Sequence, residues 1–406
     1  MITSKEALES LALSGVLMPQ EEMLEISKKD GNLFIGIPRA RTYQEHRVPL
    51  VPEAVSLLTS NGHRILMETD AGKDSNFSDQ DYSEAGAEIT PSIEEVFKAD
   101  IVLTVAPPSL DCIDMMKPKQ TIISALQLVV QPKDYLKKLM AKKISAIAWD
   151  FIKDEDGILP IVRAMGEIAG NTSILISAEY LSNTNEGNGL MFGGISGVAP
   201  TRVVILGAGT VGKYATRSAL GLGASVKVFD NSVYRLRRLQ NDLGRRIYTS
   251  TIQPAELSKA LTKADVVIGA LRAFKGRTPC VVTENMIQQM KEGAVIVDVS
   301  IDQGGCFETS KATNHEKPTF TKYGVIHYCV PNIASRVSRT ASYALSNIFA
   351  SILMDVGHEG GVDAMIKKSD GIRNGVYMYN GALTNQYLGE AFNLPYKNLN
   401  LLMAAF

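Results

Sequence analysis

The sequence predicts an α/β chain of two doubly wound, Rossmann-like domains, one inserted into a discontinuous domain made from both ends of the chain. Three observations predict it. Short β-branched runs alternate with helix-periodic segments along nearly the whole chain, a glycine turn stands in the middle rather than at the start, and a long helical segment follows the last strand run.

The opening residues, 1–32, read as a helical extension: Glu6, Glu9 and a broken apolar stretch are unlike a secretory signal. From Asn32 onward NLFIGIPR, HRILMETD, DIVLTVAPP, TIISALQ and ISAIAWDFI read as strands, with VPEAVSLLTSNG, SIEEVFKA and PKDYLKKLMAKK as helices between them. RAMGEIAGNTSILISAEYLSN is long and periodic enough to bridge two domains. A second series of six strands follows: VVILG, SVKVFD, RIYTS, DVVIGAL, GAVIVDVS and VIHYCV. The helical segment SRTASYALSNIFASILMDV then has the first domain as its destination, because the six-strand unit is complete without it. The resulting division is 33–160 with 338–406 for one domain and 161–337 for the inserted one.

The glycine turn carries the first chemistry. In VVILGAGTVG, Gly207 permits a tight turn, Gly209 lets backbone approach a pyrophosphate, and Gly212 lets the helix pack on the strand. The helix amino end offers free N–H groups and partial positive charge to phosphates. Asp230 closes SVKVFD, where a carboxylate accepts from ribose hydroxyls and repels a 2′-phosphate, so NAD(H) is favoured over NADP(H). A glycine-rich turn alone is weak evidence; the flanking strands, the helix and the acid decide for a dinucleotide. For Arg235, Arg237 and Arg238 two readings stay open, a 2′-phosphate contact or the solvated face of a helix.

Composition excludes several classes. The 42 basic and 43 acidic residues nearly cancel without long runs, giving no reason to expect nucleic acid or an anionic membrane, and small partners fit better. Cys112, Cys280, Cys306 and Cys329 are scattered, which argues against a disulfide framework or zinc site and suits a reducing cytosol. No apolar run approaches the ~18 residues of a membrane span. Ligands in open α/β sheets sit beyond the carboxyl ends of strands, which points to Arg47, Ala106, Gln127, Asp302 and Asn332.

GIPRARTYQEHRVPLVPEAV, LGAGTVG, GAVIVDVSIDQGGCFETS and HYCVPNIASRVSRTASYALSN together resemble the alanine dehydrogenase and pyridine nucleotide transhydrogenase family, over nearly everything after residue 32. IDQGGCFE is closer to the alanine dehydrogenase branch. The resemblance implies NAD as cofactor and reversible oxidative deamination of a small L-amino acid, L-alanine to pyruvate and ammonium. It also implies a cytoplasmic homo-oligomer, hexamer or dimer.

By the same resemblance Arg47 holds the substrate carboxylate, to which a guanidinium is suited through two parallel hydrogen bonds; a surface salt bridge is the competing reading. Asp302 matches the catalytic aspartate that orients water or steadies a cationic imine; the competing reading is a cap beside Gly304 and Gly305. Asn332 orders the cleft near the nicotinamide, and Met165, Val211 and Ile301 join the glycines in lining the cofactor. Two positions depart from the pattern. The family's substrate lysine is Ala106 here, and its catalytic histidine is Gln127, which hydrogen-bonds the amine or carbonyl but exchanges no full proton near neutrality. Gly166 stands where a serine contacts the cofactor.

His46 is a candidate substitute for the lost imidazole or an exposed loop residue; His315 and His358 read as surface positions, and His327 as packed in its strand. Arg336 is either a second carboxylate contact or a helix-start arginine paired with a nearby acid. The alternative function is a non-catalytic NAD(H)-binding protein or transhydrogenase-like partner.

Overall fold

The computed structural model describes residues 31–42, 44–126, 133–273 and 277–404. The expected extension over 1–32 lies outside them except for its last two residues, and Gln127 lies outside them too.

The apolar runs of the first half form strands buried on both faces, as parallel sheets require: β1 (Phe34–Ile37), β2 (Arg64–Glu68), β3 (Glu88–Thr90), β4 (Ile101–Leu103), β5 (Thr121–Ser124) and β6 (Ser145–Ala148). They lie in the order β6-β5-β4-β1-β2-β3, all parallel, so the strand order reverses between β1 and β4. That is the doubly wound arrangement, in which the reversal leaves a crevice at the carboxyl ends of the strands. Helix α1 (Pro52–Ser60) follows β1; its proline sits in the first turn, where a missing N–H costs no helical bond.

Helix α2 (Pro160–Tyr180) carries the chain out of the first sheet. The second sheet contains β7 (Arg202–Leu206), β8 (Ser225–Phe229), β9 (Tyr248–Ser250), β10 (Val266–Gly269), β11 (Val295–Asp298), β12 (Thr319–Lys322) and β13 (Val325–Tyr328), and helix α3 (Thr210–Gly221) follows β7. Its order is β12-β13-β11-β10-β7-β8-β9. The six expected strands are all present and again reverse at the first of them, β7. The seventh, β12, corrects the six-strand expectation: it pairs antiparallel with β13 at the sheet edge.

Helix α4 (Ser338–His358) returns to the first sheet, and its Leu345, Phe349, Leu353 and Val356 share one core with Ile35, Ile37, Val55 and Leu58. Helix α5 (Asp370–Gly375) follows, then β14 (Val376–Tyr379), antiparallel to β6, and β15 (Ala382–Leu383), which extend the first sheet to eight strands. Among the described residues no helix is long and apolar enough to cross a membrane.

Candidate active site

The loop after β1 meets the loops after β11 and β13, so the carboxyl ends of both sheets face one gap. Arg47 and Asn332 approach it from opposite sides. Arg47 is buried and bonds Glu45 through two arms, Nε to Oε1 at 2.7 Å and Nη2 to Oε2 at 2.6 Å, while Nη1 donates to Met165 Sδ at 3.1 Å. Asn332 Nδ2 donates to the same Glu45 Oε2 at 2.9 Å, and Asn332 N donates to Asp302 Oδ1 at 3.0 Å. Three residues singled out in the sequence, Arg47, Asn332 and Asp302, thus stand in one constellation joined by Glu45.

Glu45 was not singled out, and it changes the reading of Arg47: the salt bridge exists, but it is buried rather than on the surface. Of the guanidinium's five N–H groups these contacts use three, leaving one on Nη1 and one on Nη2 for a further acceptor. Burial pushes the Glu45 carboxyl up, but the Arg47 charge and hydrogen bonds, with Asn332, outweigh it and hold the group below the ordinary carboxylate range.

Asp302 keeps solvent access, yet protein atoms wall it closely. That desolvation lifts its carboxyl above the ordinary value, against the downward pull of the Asn332 N–H and the Arg47 charge. Asn332 adopts a left-handed backbone, φ 59°, which asparagine tolerates and which aims its N–H at Asp302.

The loop carrying Arg47 is held by serines. His46 N donates to Ser335 Oγ at 2.9 Å, Val48 N to Ser342 Oγ at 3.0 Å and Val51 N to Ser346 Oγ at 3.0 Å. Ser342 and Ser346 lie one turn apart on one face of α4, so a helix of the first sheet's core positions the loop.

His315 departs from the expectation of a surface position. It is half-buried, its N–H donates to Gln44 Oε1 at 2.7 Å, and its ring meets His46 at 5.8 Å between centroids. Burial, then the charge of His46, lowers its pKa. His46 Nδ1 lies 3.6 Å from Asp74, half in solvent. His327 is fully buried, as expected, with Nε2 at 2.8 Å from Thr309. Arg336 is turned to Glu179 of α2 at 2.6 Å, the ion pair rather than the free cation. Ala106 is buried beside Thr104, whose hydroxyl donates to its carbonyl, and lines a pocket with Arg39, Arg41 and Arg47. Arg41 is itself engaged on Glu68.

The glycine turn fits a dinucleotide. Gly207 has φ 113°, and a Cβ there would meet Ala270 O at 2.4 Å; one at Gly212 would meet Gly207 O at 1.9 Å. A Cβ at Gly209 would meet only open space, so the backbone borders a trough. Gly209 caps α3 without a side-chain bond, leaving first-turn amides for an anion. A Cβ on Gly166 would reach Thr210 and Val211 at 3.4 to 3.6 Å, placing Met165 and its neighbour against the start of that helix. Asp230 is buried; Ala208 N and Ser232 N donate to its two oxygens at 2.8 and 2.7 Å, and each oxygen retains a lone pair for a hydroxyl. Arg235 lies 3.8 Å from that carboxylate, while Arg237 lines an open groove with Arg245 and Arg246. Ile301 is buried next to Asp302. Among the described residues no cluster of His, Cys, Asp or Glu could hold a metal ion.

Two family models match the chain, the alanine dehydrogenase/PNT N-terminal domain over 36–169 and the C-terminal domain over 173–386. Alanine dehydrogenase 2 of Staphylococcus aureus (strain USA300) is 38% identical over 366 residues, 90% of this chain and 98% of that protein. A solved L-alanine dehydrogenase superposes with a TM-score of 0.83 at 35% identity, covering 88% of this chain and 99% of the other. A transhydrogenase from Sinorhizobium meliloti shares the fold, with a TM-score of 0.74 at 22% identity over 87% of this chain and 99% of its own.

Proposed function

Because the chain belongs to the alanine dehydrogenase/PNT family, we propose that it is an NAD-dependent dehydrogenase that reversibly deaminates a small L-amino acid, with L-alanine the first candidate. The observation that carries this reading is the constellation in which Arg47 and Asp302, contributed by opposite halves, are joined through Glu45 and Asn332. We assign substrate binding to 33–160 with 338–406 and cofactor binding to 161–337.

Gly207, Gly209, Gly212, Asp230, Val211, Met165 and Ile301 would hold NAD, which supplies the hydride acceptor when bound. The free Nη1 and Nη2 protons of Arg47 clamp the substrate carboxylate. Glu45 fixes the guanidinium plane and neutralises much of its charge, so the clamp works by geometry more than by net attraction. Asp302 faces the reacting carbon; its ionised form steadies the cationic imine and orients water toward it. Gln127 hydrogen-bonds the amine or the carbonyl. Asn332 keeps Asp302 and Glu45 in register across the gap.

NADH absorbance with purified protein tests this, using NAD with small L-amino acids and NADH with 2-oxo acids plus ammonium. Turnover that Arg47→Ala and Asp302→Asn abolish is the expected result. Tight NADH binding without turnover across the panel favours the second reading, a nucleotide-binding partner, which the absent imidazole at position 127 supports.

A further inference from the structure

The reading above leaves one proton without a carrier, because glutamine at position 127 cannot exchange it. We propose that Asp150 is the general base that takes the place of the missing imidazole. Resting on the amino-acid dehydrogenase reading, the step is this: a water oxygen forms a bond to the iminium carbon, the C=N π pair moves to nitrogen, and the water proton passes to the Asp150 carboxylate. In the reverse direction the same group returns the proton as C–O cleaves.

The placement follows from sheet register. Ser124 of β5 pairs with Ala148 of β6, so two residues further on Leu126 and Asp150 stand level beyond the carboxyl ends of adjacent strands. Leu126 N donates to Asp150 Oδ1 at 3.1 Å, and the next residue is position 127. Neighbouring strands are ~4.8 Å apart, so the carboxylate stands one strand over from the carboxyl end of β5. On the same turn Trp149 Nε1 donates to Val105 O at 3.0 Å, tying Asp150 to the strand end that bears Ala106. Beyond that lies the β1 loop with Arg47, which puts Asp150 on the row of strand ends lining the crevice.

The groups facing it suit proton exchange. Arg272, in the loop after β10, is the cation whose field reaches it, from the opposite half. From β14 it faces the buried phenol of Tyr377. Helix α5 packs on the turn through Asn374, which donates to Phe151 O at 2.7 Å, and its Arg373 is paired with Asp370 at 2.5 Å. Arg163 of α2 is engaged on Glu167. Burial lifts the Asp150 carboxyl to about 6, against the Leu126 N–H, its own backbone and the more distant field of Arg272. A group so placed is ionised in neutral buffer and still basic enough to accept a proton.

The test compares Asp150→Asn, Asp150→Glu and the double variant Asp150→Asn with Gln127→His. Asparagine keeps an oxygen for Leu126 N, so folding is preserved. Expected for Asp150→Asn is a kcat loss of at least ~10²-fold with KM little changed. The wild-type deamination rate should rise with pH through about 6 and that rise should vanish in the variant. Asp150→Glu should regain part of the rate, and Gln127→His should rescue it in the double variant. Independently of turnover, infrared titration of the cofactor-free protein should contain a carboxylic acid band titrating near 6 that Asp150→Asn removes. An active wild type matched by Asp150→Asn in rate and pH profile, or the absence of that band, overturns this proposal alone. A wild type silent toward every amino acid overturns the amino-acid reading, and this proposal with it.

Discussion

The buried Glu45–Arg47 pair governs the polarity of the gap. Removing one partner of such a pair strands the other charge, which typically costs about 3–5 kcal/mol, so Glu45→Ala is expected to lower the unfolding free energy by that order in a denaturant titration. The pH dependence has a definite sign. Glu45 is held below its ordinary value of 4.5 in the fold, so its stabilisation is present above that value and is lost as acid carries the pH through the folded value. His315 is lowered from 6.5, so the fold favours its neutral ring, and stability erodes as pH falls below 6.5. Thermal unfolding should therefore shift downward on acidification from neutrality, and less so in His315→Gln. At this scale Arg47, Asp302 and Asn332 were legible because they follow strand ends, where ligands bind. Glu45, Asp150 and His315 were not: one is a carboxylate in an irregular loop, one caps a strand inside WDF, and one lies in a polar loop, so none carries periodicity or motif spacing.

Helix α4 does more than fill the core, since its serines satisfy backbone N–H groups of the Arg47 loop. Ser342→Ala strands the Val48 N–H and removes the hydroxyl 2.9 Å from Ser75 Oγ, which keeps its own bond to His46 O at 2.7 Å. An unsatisfied buried donor costs about 1–3 kcal/mol, and the loosened loop should raise KM for the amino acid more than it lowers kcat, as steady-state kinetics would reveal. Gly212→Ala would drive a methyl into Gly207 O, and nucleotide affinity measured by fluorescence quenching should collapse with it. The strands were readable because β-branched apolar runs have few other solutions. β12 escaped because TFTK is short, half polar and at an edge, where one face and one side need no apolar neighbour.

Two sheets of the same winding, each reversing at its first strand, set their carboxyl ends against one another, and chemistry follows from which residues those ends carry. The destination of the last helix was legible although the strand count behind it fell one short: α4, β14 and β15 do join the first sheet. The relation of Glu45 to Asn332 and of Asp150 to Leu126 was not, because register between distant loops has no local signature. At this scale Ala106→Lys with Gln127→His should raise activity toward L-alanine in the absorbance assay if the gap is otherwise that of the family. The account's central claim is that a nicotinamide and a small amino acid meet between Arg47 and Asp302. A crystal structure of the protein with NADH and a 2-oxo acid tests it most directly. The account predicts the acid's carboxylate on the free edge of Arg47 and the nicotinamide facing Asp302; a nicotinamide directed away from Asp302, or a 2-oxo acid bound elsewhere, would contradict it.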